Sequence, residues 1–110
     1  MATFIMLTRV SEQALQSPSS FEKLGRDVSE RIRSDCPEVE WKQSYAVLGP
    51  ADYLDIFTAP DMEAAMKVAA VVRSFGHAST EVWGATEWEQ FKNIVAPMAA
   101  QQPATAMASV

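Results

Sequence analysis

A chain of 110 residues with 48% apolar and 21% charged residues fits one domain around one hydrophobic core. Its net charge is −5 at pH 7, with acids and bases interspersed, which argues against a nucleic-acid-binding stripe and against an anionic membrane surface. One cysteine, Cys36, cannot close an intramolecular disulfide, and no apolar run approaches a membrane span, so a reducing, cytoplasmic location is expected.

The first apolar run, Phe4-Ile5-Met6-Leu7, lacks the basic flank of a signal peptide and reads as a strand over 3–9. Phe4 and Met6 point to one face, Ile5 and Leu7 to the other. A turn or short helical piece follows over 11–16. Ser17-Pro18 then starts a helix as N-cap and first position, with Phe21, Leu24, Val28 and Ile32 as its buried stripe. Lys23, Arg26, Asp27, Glu30, Arg31 and Arg33 form a solvated face. Gly25, costly in mid-helix, is expected where the helix lies close to a sheet, and Pro37 ends the helix.

Strands over 39–48 and 52–58 flank Gly49-Pro50-Ala51 as a hairpin. Asp61 caps the next helix and Gly76 closes it, with Met62, Met66, Ala69, Val72 and Phe75 as the packing stripe. A fourth strand covers 77–83. Thr86-Glu87-Trp88-Glu89 has capping-box spacing and opens a last helix bearing Trp88, Phe91 and Val95, which Pro97 stops. Residues 1–96 thus form one domain, and the Ala-, Gln- and Pro-rich stretch 97–110 is expected to be a flexible tail. The order β-α-β-β-α-β plus a terminal helix predicts an α+β, ferredoxin-like fold: a four-stranded antiparallel sheet with both main helices on one face.

A three-residue loop at 49–51 sets Leu48 opposite Asp52, Val47 opposite Tyr53 and Tyr45 opposite Asp55. The helix side then holds Ser44, Ala46, Leu48, Leu54 and Ile56. Trp41, Gln43, Tyr45, Val47, Tyr53, Asp55 and Phe57 fall on the other face, joined by His77, Ser79, Glu81 and Trp83. So aromatic a face exceeds what a monomer leaves wet. A second copy related by a two-fold axis covers it, and the paired sheets enclose a barrel-like space suited to a small apolar or aromatic ligand.

With F-I-M-L-T at 4–8, Gly49-Pro50 followed by Asp52, and Ala59-Pro60-Asp61, the sequence resembles GYD domain proteins, within the wider group of dimeric α+β barrels. The resemblance spans all but the tail. It implies the ferredoxin-like fold and pairing of sheets into a dimer or an assembly of dimers. It fixes no activity, because relatives by fold include monooxygenases, isomerases, decarboxylases, haem enzymes and plain ligand-binding modules. The tyrosine of the family's name falls at Ala51 here, so no role of that tyrosine carries over.

His77, Asp55 and Tyr45 are the candidate catalytic groups. Asp55 among apolar neighbours must be bonded or raise its pKa, Tyr45 can bond it, and His77 is the only histidine. Trp41, Tyr53, Phe57, Glu81 and Trp83 are the candidate ligand-binding residues. The bland readings are a helix-end cap for His77, a structural Tyr45–Asp55 pair and a packed aromatic interface. Asp52 is read as a turn-fixing residue and Cys36 as an unreactive thiol. No dissociable cofactor and no conventional metal site are expected; haem or a metal on His77 is the lesser alternative. An enzyme doing cofactor-independent acid–base chemistry and a non-catalytic ligand-binding or assembly module both remain open.

Overall fold

The computed structural model describes residues 1–12, 18–76 and 78–99. The element order is β1 (Ala2–Val10), α1 (Pro18–Asp35), β2 (Glu40–Ala46), β3 (Tyr53–Ala59), α2 (Met62–Ser74), β4 (Ala78–Ala85) and α3 (Trp88–Ala99). The four strands make one antiparallel sheet in the order β2-β3-β1-β4, the ferredoxin-like arrangement expected from two crossing helices. The tail beyond residue 99, and Ser17 as cap of α1, lie outside the described residues.

Alternation along β1 settles which face is covered. Phe4, Met6, Thr8 and Val10 are buried, whereas Ile5 and Leu7 are only half-buried. The core gathers Phe4, Met6 and Phe57 from the sheet, Ile32 and Cys36 from the end of α1, and Ala64, Ala65, Val68 and Val72 from α2. An aromatic row runs across it: Trp41 stacks on Phe57 at 5.1 Å between centroids, and Phe57 on Phe4 at 5.6 Å.

Helix α2 is capped as its sequence implies. The Asp61 carboxylate accepts from Ala64 N at 2.9 Å, and at the far end Gly76 takes φ +77° and donates to Arg73 O at 3.0 Å. Its buried stripe is rotated from the expected one. Ala64, Ala65, Val68, Ala69 and Val72 face the sheet, while Met62 and Met66 are 71% and 65% exposed. Small side chains let the helix approach the sheet, so the alanines rather than the larger methionines took the core. In α3, Phe91 N bonds to Glu87 O at 2.9 Å, which sets Glu87 rather than Thr86 at the N-cap. Pro97 does not stop α3 but sits inside it, close enough to its end that the helix closes its final turn past the missing N–H.

The β2–β3 hairpin overturns the expected facing of half the sheet. Val47 N bonds to Asp52 O at 3.0 Å and Ala46 pairs with Tyr53, so the loop is residues 48–51, one longer than supposed. Gly49 supplies the positive φ of +147° that this loop needs. The shift sets Tyr45 opposite Leu54 and Ser44 opposite Asp55. With a side-chain period of two, it turns Tyr53, Asp55 and Phe57 toward the helices and Leu54 and Ile56 away from them. A bulge between Trp41 and Gln43 then returns Trp41 to a place opposite Phe57, so Trp41 also faces the helices while Gln43 and Tyr45 do not.

Candidate functional site

Helix α1 is buried at one end only. Ile32 and Cys36 are 6% and 1% exposed, Val28 and Leu24 are half-buried, and Phe21 is 42% exposed. Between this helix and the sheet lies a cavity of about 280 Å³. Its floor is Met6, Thr8 and Val10 of β1, Tyr53 and Asp55 of β3, and Trp41 and Ser44 of β2; Leu24, Gly25, Val28 and Ile32 of α1 with Val72 and Phe75 of α2 close it above. Gly25 therefore does not mark a close approach of helix and sheet: a Cβ built there meets nothing within 4 Å. At the outer end Phe21 meets the Tyr53 ring edge-on, with centroids 6.2 Å apart.

The register arranges the polar groups of this floor in two rows. Ser44, Asp55, Met6 and Val82 lie side by side across the four strands, and Ala46, Tyr53, Thr8 and Thr80 form the next row. The Trp41 indole donates to Ser44 Oγ at 2.9 Å, and both side chains act on the Asp55 carboxyl as donors that favour its charged form. Burial pushes the Asp55 pKa up, against the opposing pull of those two donors. Burial, followed by the charges of Asp52 and Asp55, likewise raises that of Tyr53. Among the described residues, the buried side-chain polar atoms without a partner are Thr8 Oγ1, Tyr53 Oη and Thr80 Oγ1, all in the second row. Thr8 and Tyr53 line the cavity itself. Buried hydroxyls are ordinarily bonded; these three have no partner among the described residues.

Backbone links fix the outer end of the floor. Asp52 N donates to Thr8 O at 2.9 Å, and its carboxylate accepts from Val10 N at 2.8 Å. The Arg9 guanidinium bonds to Pro50 O. Asp52 is thus a structural clamp, tying the hairpin to β1 rather than bonding only within its own turn.

The expected site residues divide between two faces. Asp55, Tyr53 and Trp41 line the cavity, and Phe57, 0% exposed, supports it from the core. Tyr45, Glu81 and Trp83 lie on the opposite, open face, where Tyr45 is 48% and Trp83 51% exposed. Tyr45 accordingly does not bond Asp55; its Oη accepts from Gln43 Nε2 at 3.2 Å. Glu81 and Trp83 border a shallow groove of about 620 Å³ with Arg9, Leu48 and Leu54. His77 lies outside the described residues, between Gly76 and the cavity-lining Ala78. Thr8 and Ser44 are site residues that pattern reasoning missed, though Thr8 shares the parity of Phe4 and Met6 along β1.

Cys36 is 1% exposed and its thiol pKa is pushed up, first by burial and then by Glu38 and Asp35, the opposite of an activated thiol. Among the described residues no three His, Cys, Asp or Glu side chains come together as a metal-binding group, and no helix is long and apolar enough to cross a membrane.

The model of the GYD domain family matches residues 4–95. No curated protein matches the chain significantly by sequence. Solved structures that share its fold include the following three. A protein from Thermus thermophilus is 24% identical, covering 79% of this chain and 95% of its own, at a TM-score of 0.55. Muconolactone isomerase is 20% identical, covering 77% and 88%, at 0.53. FFRP-DM1 is 19% identical, covering 78% and 100%, at 0.52. At these identities the likeness is one of fold.

Proposed function

This chain belongs to the GYD domain family, and from the cavity between α1 and the sheet we propose that it binds a small, mainly apolar or aromatic molecule beneath α1, with Asp55 as the group that handles a proton there. The observation that carries this reading is a carboxyl of raised pKa set into the floor of a largely apolar cavity, next to buried hydroxyls that lack partners. A carboxyl shifted toward neutrality by its surroundings is suited to general acid–base work without a dissociable cofactor. Ser44 and Trp41 orient it, and Tyr53 and Thr8 supply hydrogen bonds to the guest.

The test is a fluorescence titration with naphthalene, because Trp41 lines the cavity and a bound aromatic perturbs its emission. Saturable binding that disappears in Val28→Trp, whose indole fills the cavity, is expected. Binding that survives Val28→Trp and disappears in Trp83→Ala would place the guest in the open groove instead.

A second reading, a non-catalytic oligomeric module, draws on a different observation. Ile5, Leu7, Leu54 and Ile56 sit half-buried on the open face beside exposed Tyr45 and Trp83. Pairing with a second copy through this face would take them out of water. Light scattering should give at least twice the 12.1 kDa of one chain; a monomer at micromolar concentration removes this reading and leaves the cavity untouched.

A further inference from the structure

The charge balance of the cavity narrows what it can take. Among the described residues, its one ionised or readily ionised lining side chain is Asp55, and none is basic. Of the described bases, Arg33 borders a neighbouring hollow with Ser29, Ile32 and Trp41, and three others are engaged elsewhere. Arg9 bonds to Pro50 O, Arg73 to Thr80 O at 3.0 Å, and Lys67 pairs with Glu38 at 3.7 Å. A carboxylate guest entering here would leave water with no cation to meet it, beside an acid of its own sign, and desolvating an unpaired anion is among the costliest steps in binding. A neutral guest has no such penalty, and a hydroxyl or keto group on it meets Asp55, Thr8 Oγ1 and Tyr53 Oη, which between them donate and accept. The volume sets the size: about 280 Å³ is nearly twice the roughly 150 Å³ of an engineered cavity that holds benzene, room for a two-ring frame.

We infer that the cavity under α1 selects neutral one- or two-ring aromatic compounds carrying a hydroxyl or keto group, and rejects their carboxylates, through Asp55 and the hydroxyls of Thr8 and Tyr53. This deepens the cavity reading above and rests on it. A site built around hydroxyl partners discriminates by what it leaves unpaired as much as by what it bonds.

Naphthol, naphthalene and naphthoate share one ring frame and differ in a single group. Their affinities for the full chain are to be measured by calorimetry at about pH 8, where naphthoate is ionised. Naphthol should bind best, with naphthoate weaker by about tenfold or more. Asp55→Asn should strengthen naphthoate and narrow that gap, while Tyr53→Phe and Thr8→Val should weaken naphthol and leave naphthalene unchanged. Thermal melts establish that each variant is folded. Naphthoate binding as tightly as naphthol, or a gap that Asp55→Asn leaves unaltered, overturns the charge selection while the cavity reading stands on naphthalene. If neither naphthol nor naphthalene binds, both fall together.

Discussion

Ser44 stands directly opposite Asp55 across the β2–β3 pair, and its hydroxyl accepts from the Trp41 indole at 2.9 Å. The arrangement gathers three chain positions into one polar cluster on the cavity floor. Both donors favour the charged carboxylate, yet burial outweighs them and the Asp55 pKa still lies above its ordinary value. A protein that needed Asp55 only as a structural acceptor would gain by holding it ionised. A raised pKa instead brings the carboxyl nearer to exchanging a proton.

That direction makes a prediction about stability. An aspartate whose folded pKa exceeds its unfolded value of about 3.9 favours folding most below that value. It loses this contribution as pH rises through the folded pKa. At neutral pH the charged Asp55 therefore opposes folding. Asp55→Asn, which keeps the shape and one acceptor oxygen, should melt higher than the parent at neutral pH, with the difference shrinking as pH falls toward about 4. Melting curves across that range check it; a variant less stable at neutral pH and equal in acid would reverse the sign of the shift.

Thr8→Val isolates the row of unpartnered hydroxyls. Thr8 is 6% exposed and its Oγ1 has no partner, so removing the hydroxyl from a side chain of the same shape should stabilise the empty protein by about 1 kcal/mol. Urea denaturation reads this as a higher midpoint at unchanged slope. A loss of similar size would mean that the hydroxyl is bonded in solution.

The order of elements was legible because its signals are local. Asp61 and Gly76 bracket α2 chemically, and alternation from Phe4 to Leu7 marks β1. The site was less legible because it depends on a register. One additional loop residue, Leu48, inverted the facing of Tyr53, Asp55 and Phe57, and the bulge at Lys42 separated Trp41 from Tyr45, which simple alternation keeps together. In β4 the alternation held, and Ser79, Glu81 and Trp83 do share the face of Tyr45. Helix α2 misled through size: its apolar pattern allows two stripes, and the one with alanines packs closer. A cavity arises from what α1 leaves unfilled near Gly25, and no spacing of residues announces it.

Helix α2 also offers a clean check of the scaffold. Its N-cap bond from Ala64 N to the Asp61 carboxylate is 2.9 Å long, and Asp61→Ala should cost about 1 kcal/mol. Asp61→Asn, which retains a capping oxygen, should recover most of it. Chemical denaturation of the pair against the parent decides; equal losses in both variants would point to charge rather than capping.

Carboxyl-carbon NMR reads Asp55, the proposed reactive group of the cavity under α1, without a mutation. Asp55 should titrate above the ordinary aspartate range, and adding naphthol should move its resonance while that of Glu81, on the open face, stays where it was. An Asp55 that titrates like any exposed aspartate, with naphthol shifting Glu81 instead, would contradict that role.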